Sequence, residues 1–173
     1  SDLPGEYDQN FMVSVAGVRA WVLKVMRPGC DAPFVDLQCR ALREIARCDA
    51  SLPVPKVIAC RDGSDVVSLQ VDGQPPRLAW LIGVLPGHVY AEEWPKTEQL
   101  ARSIGEAHGR LGLALGSFRH AALARPTKWD LEAADWIVGH PEAIPQPNRR
   151  AIVDRIARRF VEDLKARLLA LPH

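Results

Sequence analysis

The chain has 173 residues, 47% of them hydrophobic and 25% charged, with a formal net charge of +1. This is the balance of a globular protein of one domain or two small lobes, with no electrostatic reason to expect nucleic acid or an anionic membrane surface as partner. No apolar run approaches the roughly 20 residues of a membrane helix, and no basic-then-apolar leader opens the chain.

Taken in order, the first half alternates and is rich in β-branched residues, whereas the second half is helical. Phe11 to Val15 reads as a strand, Ala16-Gly17 as a tight turn, and Val18 to Met26 as the hairpin partner, closed by Pro28-Gly29. From Phe34 to Cys48 the apolar residues Phe34, Leu37, Ala41, Leu42, Ile45 and Cys48 recur at helical spacing, with Arg40, Arg43 and Arg47 on the opposite face. Leu52-Pro53-Val54-Pro55 cannot continue a helix and turns the chain extended. Three strands are predicted next, Lys56–Cys60, Asp65–Val71 and Arg77–Leu85, separated by Asp62-Gly63 and by Asp72-Gly73 with Pro75-Pro76. Beyond Pro86-Gly87 comes a helix over Thr97–Leu115, striped by Leu100, Ile104, Ala107, Leu111 and Leu115. A short helix over Leu131–Val138 and a loop over Pro141–Pro147 follow. The last helix is predicted to start at Asn148 as cap and carries Ile152, Ile156, Phe160, Leu164 and Leu168.

Hairpin, helix, strands, hinge and helices come in the order of a two-lobed kinase. The expected fold is α+β and protein-kinase-like: an antiparallel-sheet N-lobe with one helix over residues 1–85, then the first helices of a C-lobe over 86–173.

Within Trp21-Val22-Leu23-Lys24-Val25, a lysine in mid-strand among apolar residues requires an explanation, because burying an ammonium is costly unless it is paired. A strand lysine in such a context reaches the α and β phosphates of ATP in kinases. The plain alternative is an alternating strand whose Lys24 faces water. The polar stretch from Leu3 through Gly5 and Asp8 to Phe11 can offer backbone N–H groups to phosphates, although it has no Gly-x-Gly-x-x-Gly; equally, it is a polar turn.

In their order, Asp8-Gln9-Asn10-Phe11, Val22-Leu23-Lys24-Val25, Leu37-Gln38 with Ala41-Leu42, Leu52-Pro53-Val54-Pro55-Lys56-Val57 and Leu85-Pro86-Gly87 resemble aminoglycoside-phosphotransferase-like kinases. The similarity is greatest to the hydroxylysine-kinase-like branch, which includes phosphotransferase domains fused to class III aminotransferases. Phe118 to Leu123 and Lys128-Trp129-Asp130-Leu131 look like that branch's stretch after the first large helix. The resemblance implies that Lys24 serves the ATP phosphates and that Asp8, Gln9 and Asn10 cover them. It further implies that Ile82, Gly83, Val84 and Leu85 form the linker against the adenine, and that Val22 packs on the base or is simply core. For the helix partner of Lys24, Gln38 lies within the apolar stripe and Glu44 at the arginine edge. Gln38 is therefore the expected hydrogen-bond partner of Lys24 or a phosphate, the alternative being a buried glutamine satisfied by backbone.

The histidines carry less. His108 borders the apolar stripe of its helix as a core or lobe-interface residue, and His88, His120 and His140 lie in loops without metal-ligand spacing. Cys30, Cys39, Cys48 and Cys60 include no Cys-x-x-Cys pair, so no structural metal or disulfide is expected and a reducing, cytoplasmic setting is. Gly105, Gly109, Gly112 and Gly116 read as close packing; Asp130 reads as a helix cap or, with Trp129, as acceptor lining. The catalytic His-x-Asp…Asn segment and the Asp-bearing strand that hold magnesium in such kinases are not found before His173. The family places them just beyond Leu171-Pro172. The sequence therefore reads as the ATP-binding portion of a kinase for a hydroxyl on a small amine or amino acid, weak in nucleotide binding and inactive by itself, with an apolar helix face awaiting the remainder of its C-lobe. The rival reading is a non-catalytic nucleotide-sensing or docking domain attached to another enzyme, such as an aminotransferase.

Overall fold

A computed structural model of the chain describes residues 2–5, 7–70, 73–125 and 129–171. Val71, Asp72, Lys128, Pro172 and His173, named above, and Glu6 within the polar stretch after Leu3 lie outside the described residues. The chain divides into two compact units, Ser1–Leu123 and Ala124–His173.

The first unit is built on an antiparallel sheet. Strands β1 (Asp2–Leu3), β2 (Gln9–Val15), β3 (Val18–Val25), β4 (Val57–Ile58), β5 (Val66–Leu69) and β6 (Arg77–Gly83) are ordered β1-β2-β3-β6-β4, and β5 also pairs with β6. The β2–β3 turn has Ala16 at φ 50° and Gly17 at φ 79°, both left-handed, as a two-residue hairpin matched to strand twist requires. β1 is an element beyond those predicted: Asp2 and Leu3 pair with Phe11 and Asn10, so Gln9–Phe11 belong to a strand and the connection between β1 and β2 ends at Asp8. β4 and β5 are shorter than the alternation predicts. The turn at Cys60–Ser64, closed by Cys60 N–H to Ser64 O (2.7 Å), interrupts one edge line, so that β4 and β5 run in the same direction and pair with successive parts of β6.

Helix α1 (Ala32–Cys48) is capped by Asp31, whose side chain accepts from Phe34 N–H, and buries Val35, Cys39 and Ile45. It lies on one sheet face, where Met26, Val35, Cys39 and Trp80 form the core with Phe34, Leu42, Val57, Val66, Leu78 and Ile82 around it. The Trp80 indole N–H donates to Met26 Sδ at 3.3 Å. Helix α2 (Glu98–Leu115) is capped by Thr97 and joins a second cluster of Ile45, Leu52 and Ala114. Gly105, Gly109 and Gly112 do not serve close packing: a Cβ added at any of them would meet open space.

In the second unit Asp130 caps the segment Leu131–Gly139 by accepting from Glu132 N–H at 2.9 Å, and that segment is a 3-10 helix rather than an α-helix. The last helix begins at Pro147, not at an Asn148 cap, because a proline at the first position arrives with its φ already helical and loses no N–H bond. It is also not continuous. A wide π turn, Phe160–Leu164, separates α3 (Pro147–Arg159) from α4 (Lys165–Leu169). Between the 3-10 segment and α3 runs an apolar groove of about 290 Å³, lined by Leu131, Ala134, Ile137, Val153, Ile156 and Phe160 among others. Ile156 is 60% exposed and Ile152 49%. No helix among the described residues is long and apolar enough to cross a membrane.

Two loop carboxylates stabilise the fold in a pH-dependent way. Asp49 accepts from Ser51 Oγ (2.7 Å), Ser51 N–H (3.1 Å) and Arg110 Nε (2.8 Å), and Asp62 accepts from Ser64 Oγ (2.7 Å) and Ser64 N–H (2.9 Å). The Ser51 and Ser64 hydroxyls, first among these donors, hold both carboxyls below their ordinary value of 3.8. A carboxyl depressed in the folded state contributes its stability in full above the unfolded value and loses it as pH falls through the folded one. The melting temperature is thus expected to fall as pH drops below about 4, and Asp49→Asn to blunt that acid loss in a pH series of thermal melts.

Candidate functional site

The site grows from strand register. Asn10 pairs with Lys24 and Lys24 with Trp80; two residues along, Met12 pairs with Val22 and Val22 with Ile82. Side chains alternate across a sheet, so these six share one face. Because Trp80 and Ile82 pack against α1, that face is the α1 side. Lys24 is half-buried there, its ammonium 5.8 Å from the Trp80 ring centroid and donating to Asn10 Oδ1 at 3.1 Å. The aromatic face and the amide oxygen offset part of the cost of desolvating the charge.

Asn10 has a second bond. Its Nδ2 donates to Pro4 O at 3.1 Å, so one side chain ties Lys24 to the β1–β2 turn. Gly5 sits inside this closure: a Cβ there would stand 2.1 Å from Asp8 O and 2.7 Å from Asn10 Nδ2. The stem of the turn is anchored by Asp8 Oδ1, which accepts from Arg27 N–H at 2.8 Å, and by the Arg27 guanidinium 5.3 Å from the Tyr7 ring centroid.

Two expected roles change. Gln9 pairs with Val25 and lies on the opposite face from Lys24, where its Oε1 accepts from Arg77 Nη1 at 2.7 Å. Arg77 also donates to Met26 O (2.7 Å), so Gln9 braces the end of β3 and is turned away from the Lys24 side. Gln38 does not bond Lys24 either: its Nε2 donates to Phe34 O at 3.2 Å, one turn back on its own helix. An amide at that position reaches the i−4 carbonyl at little entropic cost, and the partner of the lysine is Asn10 across the hairpin. Glu44 pairs with Arg47, whose Nη2 lies 2.7 Å from Glu44 Oε1 and whose hydrogen bond holds the Glu44 carboxyl below its ordinary range.

At the linker, Gly83 pairs with Trp21 and donates its N–H to Lys56 O at 2.8 Å, while Val84 N–H donates to Ala20 O at 3.1 Å. Leu85, the next residue, is 43% exposed. Just beyond, Gly87, His88, Tyr90 and Glu93 fold over Leu100 and Ile104 of α2 around a concavity of about 400 Å³. Among the described residues no group of three His, Cys, Asp or Glu side chains could hold a metal ion. None of the four cysteines is in a disulfide, and burial pushes the Cys39 thiol up to about 11, which leaves it inert.

Trp80 and Arg77 were not foreseen as parts of this arrangement. The phase Leu78, Trp80, Ile82 was available in the sequence, and it puts Trp80 on the face of Ile82; the pairing of that face with Lys24 was not, because register across β3 and β6 is a tertiary property.

A family model described as the phosphotransferase enzyme family matches residues 2–173. Among solved structures, a microcompartment-associated aminopropanol kinase superposes with a TM-score of 0.57 at 21% identity, over 76% of this chain and 40% of its own. An amicoumacin kinase in complex with AMP-PNP, Ca2+ and Ami superposes with a TM-score of 0.62 at 14% identity, over 83% of this chain and 46% of its own. The fold is thus of the α+β kind found in these kinases, a sheet lobe followed by helices, and the chain spans less than half the length of either. No curated protein matches it.

The closure around Gly5 is directly testable. Gly5→Ala must displace the Asp8 carbonyl or break the Asn10–Pro4 bond, so amide exchange at Asp8 and Asn10 is expected to accelerate while that of Val35 stays as it is. Unchanged exchange at Asp8 and Asn10 would mean that the turn absorbs the methyl without opening.

Proposed function

The chain belongs to the phosphotransferase enzyme family, and from that premise we propose that it is the nucleotide-binding portion of a small-molecule kinase that moves the γ-phosphate of ATP to a hydroxyl of a small amine or hydroxylysine-like amino acid. The observation that carries this reading is the ammonium of Lys24, standing half-buried on the α1 face with a neutral amide oxygen as its hydrogen-bond acceptor. An ammonium has three donors, and an anionic oxygen in the place of Asn10 Oδ1 makes a stronger, charge-assisted bond than the amide does. A phosphate oxygen is the ligand that fits.

In this reading Lys24 takes the α and β phosphates, and Asn10, on releasing it, keeps Pro4 and Gly5 over them with Asp8 bracing the stem. Gln38 stands on the same side as a second polar group, once its amide leaves Phe34. Val22 and Ile82, in register on the same face, offer apolar surface to the adenine. Because the N–H groups of Gly83 and Val84 are already donated within the sheet, the linker's donor to the base falls to Leu85. Bound as its magnesium complex, ATP supplies the phosphoryl group, the metal drawing charge off the phosphate oxygens. The metal receives no ligand from the described residues in this scheme; every residue assigned here binds and positions.

An acceptor carrying both an amine and a hydroxyl is favoured by the aminopropanol kinase among the neighbours. The lobes would divide near Leu85–Gly87. The groove at Leu131, Ile137, Ile156 and Phe160 would be covered by further helices of the same lobe, consistent with neighbours of which this chain covers less than half. Thiols outside any disulfide and the use of ATP suit a cytoplasmic protein.

The experiment is calorimetric titration of the chain with AMP-PNP. Losing a charge-assisted bond to phosphate costs about 1.5–3 kcal/mol, so Lys24→Ala is expected to weaken binding about 10- to 100-fold. Equal affinity of the variant and the wild type would remove Lys24 from the site.

A further inference from the structure

Helix α1 is pinned at two places to the chain around α2. At its C-terminal end Arg110 of α2 holds Asp49, the cap residue, and also bonds Ser51. Near its start, Asp36 Oδ2 lies 2.9 Å from His120 Nε2, a contact spanning 84 residues. The His120 side chain is only 10% exposed, and its ring stacks on Phe118 with centroids 6.4 Å apart at 13°. Its other nitrogen, Nδ1, accepts from Ala122 N–H at 3.1 Å, so the ring proton is on Nε2 and is donated to Asp36. Arg40 supports the carboxylate from the next turn, its Nε 2.9 Å from Asp36 Oδ2.

A histidine–aspartate pair invites a catalytic reading, and the geometry refuses it. Nδ1 faces a backbone N–H and Nε2 faces a carboxylate, so neither nitrogen is free to take a proton from a bound molecule. What the pair does have is location. Asp36 lies between Val35 and Cys39, both fully buried against Met26 and Trp80, and Trp80 is the floor beneath the Lys24 ammonium. Movement of the first turns of α1 is therefore transmitted through Val35 and Cys39 to Trp80.

We propose that Asp36 and His120 are positioning residues of the Lys24 site, a latch that fixes the N-terminal half of α1 and with it the floor on which Lys24 is held. The role in nucleotide binding rests on the reading of Lys24 given above; the mechanical role does not. Asp36→Ala and His120→Ala release the latch, whereas Asp36→Asn keeps an amide oxygen able to accept from Nε2–H and so retains it.

The test combines three measurements on the whole chain. Amide exchange at Val35–Cys39 is expected to rise about tenfold in Asp36→Ala and His120→Ala, as for loss of one such bond, with Ala114 unaffected and Asp36→Asn close to wild type. AMP-PNP affinity is expected to fall in the same order. Nitrogen-15 shifts of the His120 ring in the wild type are expected to report protonated Nε2 and unprotonated Nδ1, a readout that stands even if an alanine variant fails to fold. Unchanged exchange at Val35–Cys39, an equal rise at Ala114, an Asp36→Asn variant as loosened as Asp36→Ala, or the opposite tautomer would each overturn the latch. Loss of exchange protection in Asp36→Ala and His120→Ala, alongside a wild type that binds no AMP-PNP, would leave the latch standing and remove the nucleotide reading alone.

Discussion

The arrangement depends on a lysine held on the core-facing side of a sheet. An ammonium in that position must be compensated, and the compensation organises its surroundings: the Trp80 ring beneath it, the Asn10 amide beside it, and through Asn10 the chain at Pro4. Each partner is supplied by a different strand, so the site exists only when β2, β3 and β6 are in register. Folding and site formation are the same event here.

Rigidity then follows from what packs on that face. α1 covers Trp80 with Val35 and Cys39 and leaves Lys24 half-covered. Arg77 closes the far end of β3 from behind, joining Gln9, Val25 and Met26. These contacts are mostly local polar bonds on the rim of a small core. Shape is therefore set by hydrogen bonds as much as by apolar burial, and single side chains such as Asn10, Arg77 and Asp36 carry more of the geometry than their size suggests.

Alternation made the β2–β3 hairpin legible, with Ala16-Gly17 as its turn, and Lys24 could be located in mid-strand from sequence alone. The apolar stripe after Thr97 made α2 legible, and Asp130 was legible as the cap of the segment Leu131–Gly139. Less was legible where partners are distant or where a side chain had a choice. A helical wheel places Gln38 on the inner face but cannot say that its amide turns back to Phe34, and Asn10 becomes the lysine's partner only once strand register is known. Gly105, Gly109 and Gly112 suggested close packing, yet nothing packs there, since a run of glycines records permission for approach and not approach itself. His120 does lie in a loop, as its sequence context suggests, but its partner, 84 positions away, could not be read from the sequence. The break between α3 and α4 leaves no proline or glycine in Phe160–Leu164, so no local signal announced it.

The central claim is that an anionic ligand takes the place of Asn10 at Lys24. It is tested most directly by following the Asn10 side-chain amide, the Lys24 ammonium and the Trp80 indole by NMR while AMP-PNP is added. The account predicts that these three signals shift together and saturably, whereas the side-chain amide of Gln9, on the opposite face, stays where it is. Saturable binding that leaves Lys24 and Asn10 unmoved, or that moves Gln9 instead, would contradict it.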